Sequence, residues 1–303
     1  MHTEKNLFFN IHYTDPRIES SVKIVMHILN DTIVTTNKTI PYNITIVIEE
    51  DMEPKTYGMA SWQTRMIWLN SNNFGKTNEL NDIKLDMNVS IILHEFLHTM
   101  GIIGGGSPSY KYILGNTDEP PNVYTGPNGI EQYRNVLQSN GKDIANIRYL
   151  PIEDDFGDGT AGSHLEEGLD EDKGVERRVI DGTPYPVIIN EIMTGFLDKR
   201  NYLTPITLGL LQDIGFTVNY SSQYVTSTGK NLNILWLRAG SVSCILTGSV
   251  PQGPFYYTTL TLSIKVQKRN GIARQKWTKN KCPFFKRAMG LCEKGPLKNT
   301  LWA

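Results

Sequence analysis

Cysteine is almost missing from this chain of 303 residues. There are three, Cys244, Cys282 and Cys292, and none lies in the first 220 residues. That part cannot be held by a disulfide framework and must rely on its own core. It also has no thiol that could serve as a removable blocking ligand. Apolar runs are short, and none approaches the ~20 residues that cross a bilayer as a helix. Residues 1–13 lack the basic-then-apolar order of a secretory signal. Either the protein is not exported by that route, or its true start lies upstream. The scarcity of cysteine is compatible with the cytoplasm without selecting it.

An excess of charge of one sign is also missing, for the formal net charge is −1. The balance hides a break. The first 220 residues hold 17 Lys/Arg against 30 Asp/Glu, whereas residues 221–303 hold 13 against one, Glu293. Such asymmetry marks a boundary, with one domain over residues 1–220 and a basic tail or small appended module over 221–303. The acidic part is not expected to bind nucleic acid. The tail intersperses Trp277, Phe284 and Phe285 among its cations. That pattern admits a nucleic-acid or membrane-surface arm, and a plain appended module is preferred.

What is present centres on one helix. Val89, Ile92, Leu93, Phe96, Leu97 and Met100 recur at the spacing of a buried helical stripe. Asp86 and Asn88 are both possible N-caps, and Gly101 suits the position after the C-terminus. His94 and His98, four apart, stand one above the other on a single face. Two imidazoles so placed can hold a zinc ion and leave coordination positions open. Glu95 lies within reach of water at such an ion and can take its proton. The same pair is compatible with two hydrogen-bonded core histidines. Three further elements favour the metal: Gly101, a downstream His164 in a Gly-rich acidic setting, and Met193 in a turn over residues 190–195.

HEFLHTMGI, GTAGSHLEEG and NEIMTG, in that order, resemble the leishmanolysin family of metzincin proteases. The resemblance covers roughly residues 1–220. It implies an α+β, zincin-like (metzincin) catalytic domain with a mixed sheet, a zinc helix and a C-terminal subdomain. It implies one catalytic Zn2+ on His94, His98 and His164, with Glu95 as the base and Met193 as the floor turn. The function implied is endopeptidase action on polypeptides by Glu-assisted attack of zinc-bound water. The 62 residues between Gly101 and His164 match the family's long insertion. Leu165 departs from it, since an aromatic residue commonly follows the third histidine. Two alternatives stay open: a zincin whose third ligand is a glutamate, for which Glu131 is the downstream candidate, and a non-catalytic zincin-shaped binding protein. Nothing in the sequence fixes the oligomeric state or the cleavage preference.

The remaining elements read as follows. Strands are expected over residues 7–13, 42–49 and 65–70, the last near the sheet edge that the resemblance assigns to substrate. A helix opened by Pro16 runs to about residue 33. Residues 102–152 are loop-rich with a short helix over 130–138. Glu153, Asp154, Asp155 and Asp158 are expected to form a solvated acidic turn rather than a calcium site. Glu166 and Glu167 either orient His164 or face water. Residues 173–186 read as an exposed loop. Thr204 and Pro205 open a helix through Asp213. In the tail, strands are expected over 231–237 and 256–266.

Overall fold

The computed structural model describes residues 1–5, 8–35, 42–116, 119–154, 160–167, 179–180, 183–226 and 233–235. Contacts divide the chain into two compact units, residues 1–166 with 190–232, and residues 167–189 with 233–303. The first unit therefore runs past residue 220, and the second draws in a segment from the middle of the chain.

The first unit is mixed α+β. Its sheet contains β1 (His2–Lys5), β2 (Phe9–Tyr13), β4 (Tyr42–Glu49), β5 (Gly58–Ser61) and β6 (Met66–Asn70), in the order β1-β2-β4-β6-β5. β2, β4 and β6 run parallel, while β1 and β5 pair antiparallel at the two margins. Between β2 and β4 lies α1 (Glu19–Thr32), opened by a 3-10 turn at Pro16–Ile18. α1 buries Val22, Val25, Met26 and Leu29, the stripe its spacing predicts. The strand β3 (Ile33–Thr35) follows α1 and pairs with Thr217–Val218.

The strand over residues 66–70 is not the edge that the sequence suggests. It lies between β4 and β5, and its Ile67 and Leu69 are fully buried. The edge is β5, GMAS, too short and too poor in branched residues to register as a strand. A hairpin joins the two, with Arg65 at φ 60° donating its N–H to the Ser61 carbonyl. The Arg65 guanidinium lies over the rings of Tyr42 and Trp62, at 4.8 and 4.9 Å.

A second hairpin, β7 (Thr77–Leu80) and β8 (Ile83–Asp86), leads into the long helix α2 (Met87–Met100). Asp86, not Asn88, is the N-cap, its carboxylate accepting the Asn88 N–H at 2.8 Å. Phe96 meets Phe9 of the sheet edge-to-face at 5.0 Å. The loop-rich stretch after α2 carries more order than its composition suggests. It contains the antiparallel pair β9 (Ile113–Asn116) and β10 (Glu119–Tyr124), then α3 (Pro127–Ser139) and β11 (Leu150–Pro151). The helix Pro205–Asp213 is capped by Thr204, as expected. It crosses α3 so closely that a Cβ on Gly209 would stand 2.7 Å from the Asn128 carbonyl oxygen.

Residues 221–226 stay with the first unit. Ser222 donates to Asp31, Thr226 N–H to the Leu203 carbonyl at 2.9 Å, and Asn81 to the Tyr224 carbonyl. Tyr224 also meets His27 edge-to-face.

In the second unit, Val179–Ile180 pairs with Thr183–Pro184, and Val187–Ile189 with Asn233–Leu235. The described part of residues 173–186 is thus a hairpin, not an exposed loop, and Ile180 and Tyr185 are buried. Asn233–Leu235 falls within the strand expected over 231–237. The strand over 256–266, the basic arm and all three cysteines lie outside the described residues.

Candidate metal centre

α2 is buried almost all round. Eleven of its fourteen residues are buried, and only Met87, His94 and His98 are partly open. The two histidines therefore face a cleft. Gly101 ends the helix at φ 106°, where a Cβ would stand 2.5 Å from Pro108 Cδ. This turn brings the carbonyls of Ile102 and Ile103 back to His98 Nδ1, at 3.0 and 3.1 Å. Ile103 pays with φ 36°, an uncommon conformation for a β-branched residue. Its N–H is held by Ser109 Oγ at 2.7 Å.

His164 arrives from 66 residues beyond His98 on a short segment clamped on both sides. Its carbonyl accepts the Glu153 N–H at 2.9 Å, and the next N–H, of Leu165, donates to the Met193 carbonyl at 2.9 Å. Gly162, at φ 71°, makes the turn that precedes it. Leu165, where the resembled family has an aromatic residue, is 1% exposed and bridges Ile152 and Thr194. Its role is packing.

The three Nε2 atoms form a nearly equilateral triangle, with sides of 3.1, 3.2 and 3.3 Å. Each Nδ1 meets a carbonyl oxygen and so must donate: His94 to Ile192 at 2.6 Å, His98 to Ile102 and Ile103, and His164 to Thr160 at 3.0 Å. The tautomers are thereby fixed, and three Nε2 lone pairs converge. Lone pairs at that distance repel unless a cation lies between them. Nitrogen ligands ~2.0–2.1 Å from a tetrahedral zinc stand about 3.3 Å apart. The donor set and its dimensions therefore fit a metal ion of that kind.

Electrostatics favour the same occupant. Burial, then the neighbouring His98 and His164, hold His94 well below the usual imidazole range. Burial also lowers His98, and burial with His98 brings His164 down to about 3. All three imidazoles are thus held toward the neutral form that can bind a metal. Burial pushes the Glu95 carboxyl up to about 8. Among the described residues that carboxylate has no hydrogen-bond partner, and it lines the cleft.

The cleft has two lobes that share Gly58, Met59, Glu95 and His164. One, of about 290 Å³, continues past Ile91, Ile192 and Phe196. The other, of about 310 Å³, continues past Trp62, His98 and Ile103. Tyr57, Met59 and Phe196 are exposed at 37, 49 and 48% on the rim of the first lobe, an apolar lip.

The sequence picks out His94, Glu95, His98 and His164, and the structure brings them together. Met193 is fully buried in a turn whose N–H and carbonyl are both engaged. Glu131 is exposed on α3 and takes no part in the histidine group. Glu166 and Glu167 are buried rather than solvated, and Thr160, not a carboxylate, orients His164. Glu153, Asp154 and Glu166 bring oxygens within 4.8 Å of one another, so the acidic stretch is partly packed inward. His2 and His12 serve the β1–β2 margin, stacking on Tyr13 and bonding to Thr3.

Sequence reasoning passes over Glu191. It is fully buried, and its carboxylate accepts from Met193 N–H, Thr204 Oγ1 and Thr207 Oγ1. It ties the turn that supplies the Ile192 carbonyl to the start of the helix Pro205–Asp213. Its only signal in the sequence is its place two residues before Met193.

Set against protein-family models, curated proteins and solved structures, the chain matches none.

Proposed function

We propose that the chain is a zinc-dependent endopeptidase of leishmanolysin type, built on a zincin-like fold. The observation that carries this reading is the Nε2 triangle of His94, His98 and His164 with the unpartnered Glu95 carboxylate beside it. A zinc ion held there would supply Lewis acidity, acidifying water and polarising a carbonyl.

The chain's own groups would do the rest. Glu95, raised by burial, is a poor acid and a competent base in the neutral range once a cation lies near it. It would take the proton from the attacking water and then hand it to the departing amine. Neutral His94, His98 and His164 would hold the ion without surrendering protons.

Substrate would lie along β5. Asn70 N–H donates to the Tyr57 carbonyl, so in the antiparallel alternation Tyr57 and Met59 face β6. Gly58 and Ala60 then direct their N–H and carbonyl groups away from the sheet, along the cleft. An extended polypeptide can pair with that edge whatever its sequence. The apolar lip of Tyr57, Met59 and Phe196 suits a large apolar side chain beside the scissile bond.

The decisive experiment joins metal analysis to peptide cleavage. The purified chain should contain one zinc, cleave casein or a peptide mixture at internal bonds, lose activity to a chelator and regain it with zinc. A metal-free chain that binds no zinc, or a zinc-loaded chain that cleaves nothing, would overturn the reading.

A further inference from the structure

Gly58 lies where β5 runs tightly against α2. A Cβ built on it would stand 2.8 Å from Glu95 Oε1, 2.8 Å from Ile91 Cγ2 and 3.0 Å from Glu95 Cγ. Its backbone gives no reason for a glycine, because it is not among the residues of positive φ. Within a strand, glycine is less favourable than alanine. What the position requires is space, and the group that occupies the space is the Glu95 carboxylate.

We propose that Gly58 is a positioning residue for Glu95. The missing side chain lets the carboxylate sit between α2 and the open edge of β5, where the scissile bond of an extended substrate would lie. This inference rests on the reading of Glu95 as the base. A methyl group at position 58 must displace something. β5 is pinned to β6 by its ladder, and Ile91 is packed at 3% exposure. The Glu95 carboxylate is the far end of a flexible side chain with no hydrogen bond to hold it, so it is the group that moves. A displacement on the order of 1 Å at a reacting group lowers turnover by ~10²-fold.

The test uses the full chain, with Gly58→Ala and Gly58→Val made alone and in an Ile91→Ala background. Zinc content, the visible spectrum of the cobalt-substituted protein, the thermal midpoint, kcat and KM are measured for each. Gly58→Ala is expected to keep wild-type zinc content while kcat falls ~10²-fold, with a lower midpoint from the contact with Ile91. Gly58→Val should lose more. In the Ile91→Ala background the loss caused by Gly58→Ala should shrink, because the methyl group gains room on that side. The inference is overturned by a Gly58→Ala variant with wild-type kcat, by one that has lost its zinc, or by equal losses in the two Ile91 backgrounds. The functional reading is judged separately on wild type and Glu95→Gln. If wild type cleaves and Glu95→Gln does not, only the role of Gly58 is at stake. If wild type neither holds zinc nor cleaves, both fall.

Discussion

His94 Nδ1 donates to the carbonyl of Ile192 at 2.6 Å, across 98 residues of chain. This bond sets the ring's orientation and frees Nε2 to face the other two imidazoles. It makes the turn around Met193 part of the candidate metal site through its backbone, although its residues are not in the histidine group.

Glu95→Gln should keep the metal and lose turnover. The amide fills the same space but cannot take a proton. Removal of a general base lowers rates by ~10²–10⁴. Zinc analysis beside peptide hydrolysis checks this, and near-wild-type hydrolysis would sink the role given to Glu95.

His164→Ala should lower zinc affinity and activity together, whereas Glu131→Ala should change neither. One removes a corner of the triangle, and the other alters an exposed position on α3. Competition with a chelating dye measures both affinities. Retention of zinc by His164→Ala with its loss in Glu131→Ala would reverse the assignment.

Metal binding should release a proton from Glu95. Without a cation its carboxyl sits at about 8 and is mostly protonated at pH 7. A cation beside it favours the carboxylate, so the pKa falls and the proton leaves. The histidines, already neutral at pH 7, contribute none. Calorimetry in buffers of different ionisation enthalpy should therefore count fewer protons released by Glu95→Gln than by wild type. Equal counts would contradict the protonated carboxyl.

Much of this centre can be read from the sequence, because ligand identity and helical spacing are side-chain properties. His94, Glu95 and His98 follow from one turn of helix, and Gly101 from the need to reverse the chain. What escapes is carried by backbone. The carbonyls of Thr160, Ile192 and Ile103 orient the imidazoles, yet any residue type could supply them. β5 escapes for a related reason: its four residues form a strand because β6 offers a ladder, not because GMAS favours one. Glu191 looks like one acid among many until burial shows it beneath Met193.

Glu191 should make stability pH-dependent. Burial raises its carboxyl to about 7 in the folded chain, against an ordinary value of 4.5. The folded state then holds a proton that the unfolded state has released, so stability falls as pH rises from about 4.5 to 7. The contribution is about 3 kcal/mol. Urea unfolding of wild type and Glu191→Gln should show their difference changing across that window and levelling above it. A pH-independent difference would rule the effect out.

A chain ending at residue 226 should outlast one ending at residue 220. The shorter chain loses the contacts of Ser222 with Asp31, Tyr224 with Asn81 and His27, and Thr226 with Leu203. Net worth near 1 kcal/mol for each hydrogen bond gives a loss of roughly 2–3 kcal/mol. Thermal unfolding of the two truncations compares them directly.

The centre also has a timetable. α2 is complete once Met100 has left the ribosome, but His164 must wait for its own segment. The Glu191 anchor must then wait for Thr207, more than a hundred residues after His98. At synthesis rates of ~5–20 residues per second, that interval is roughly 5–20 s. Until His164 emerges the nascent chain carries two imidazoles and a carboxylate with no third corner, and until Thr207 emerges the Met193 turn lacks its full anchor. Whatever chemistry the finished centre performs must wait until the first 207 residues have been made.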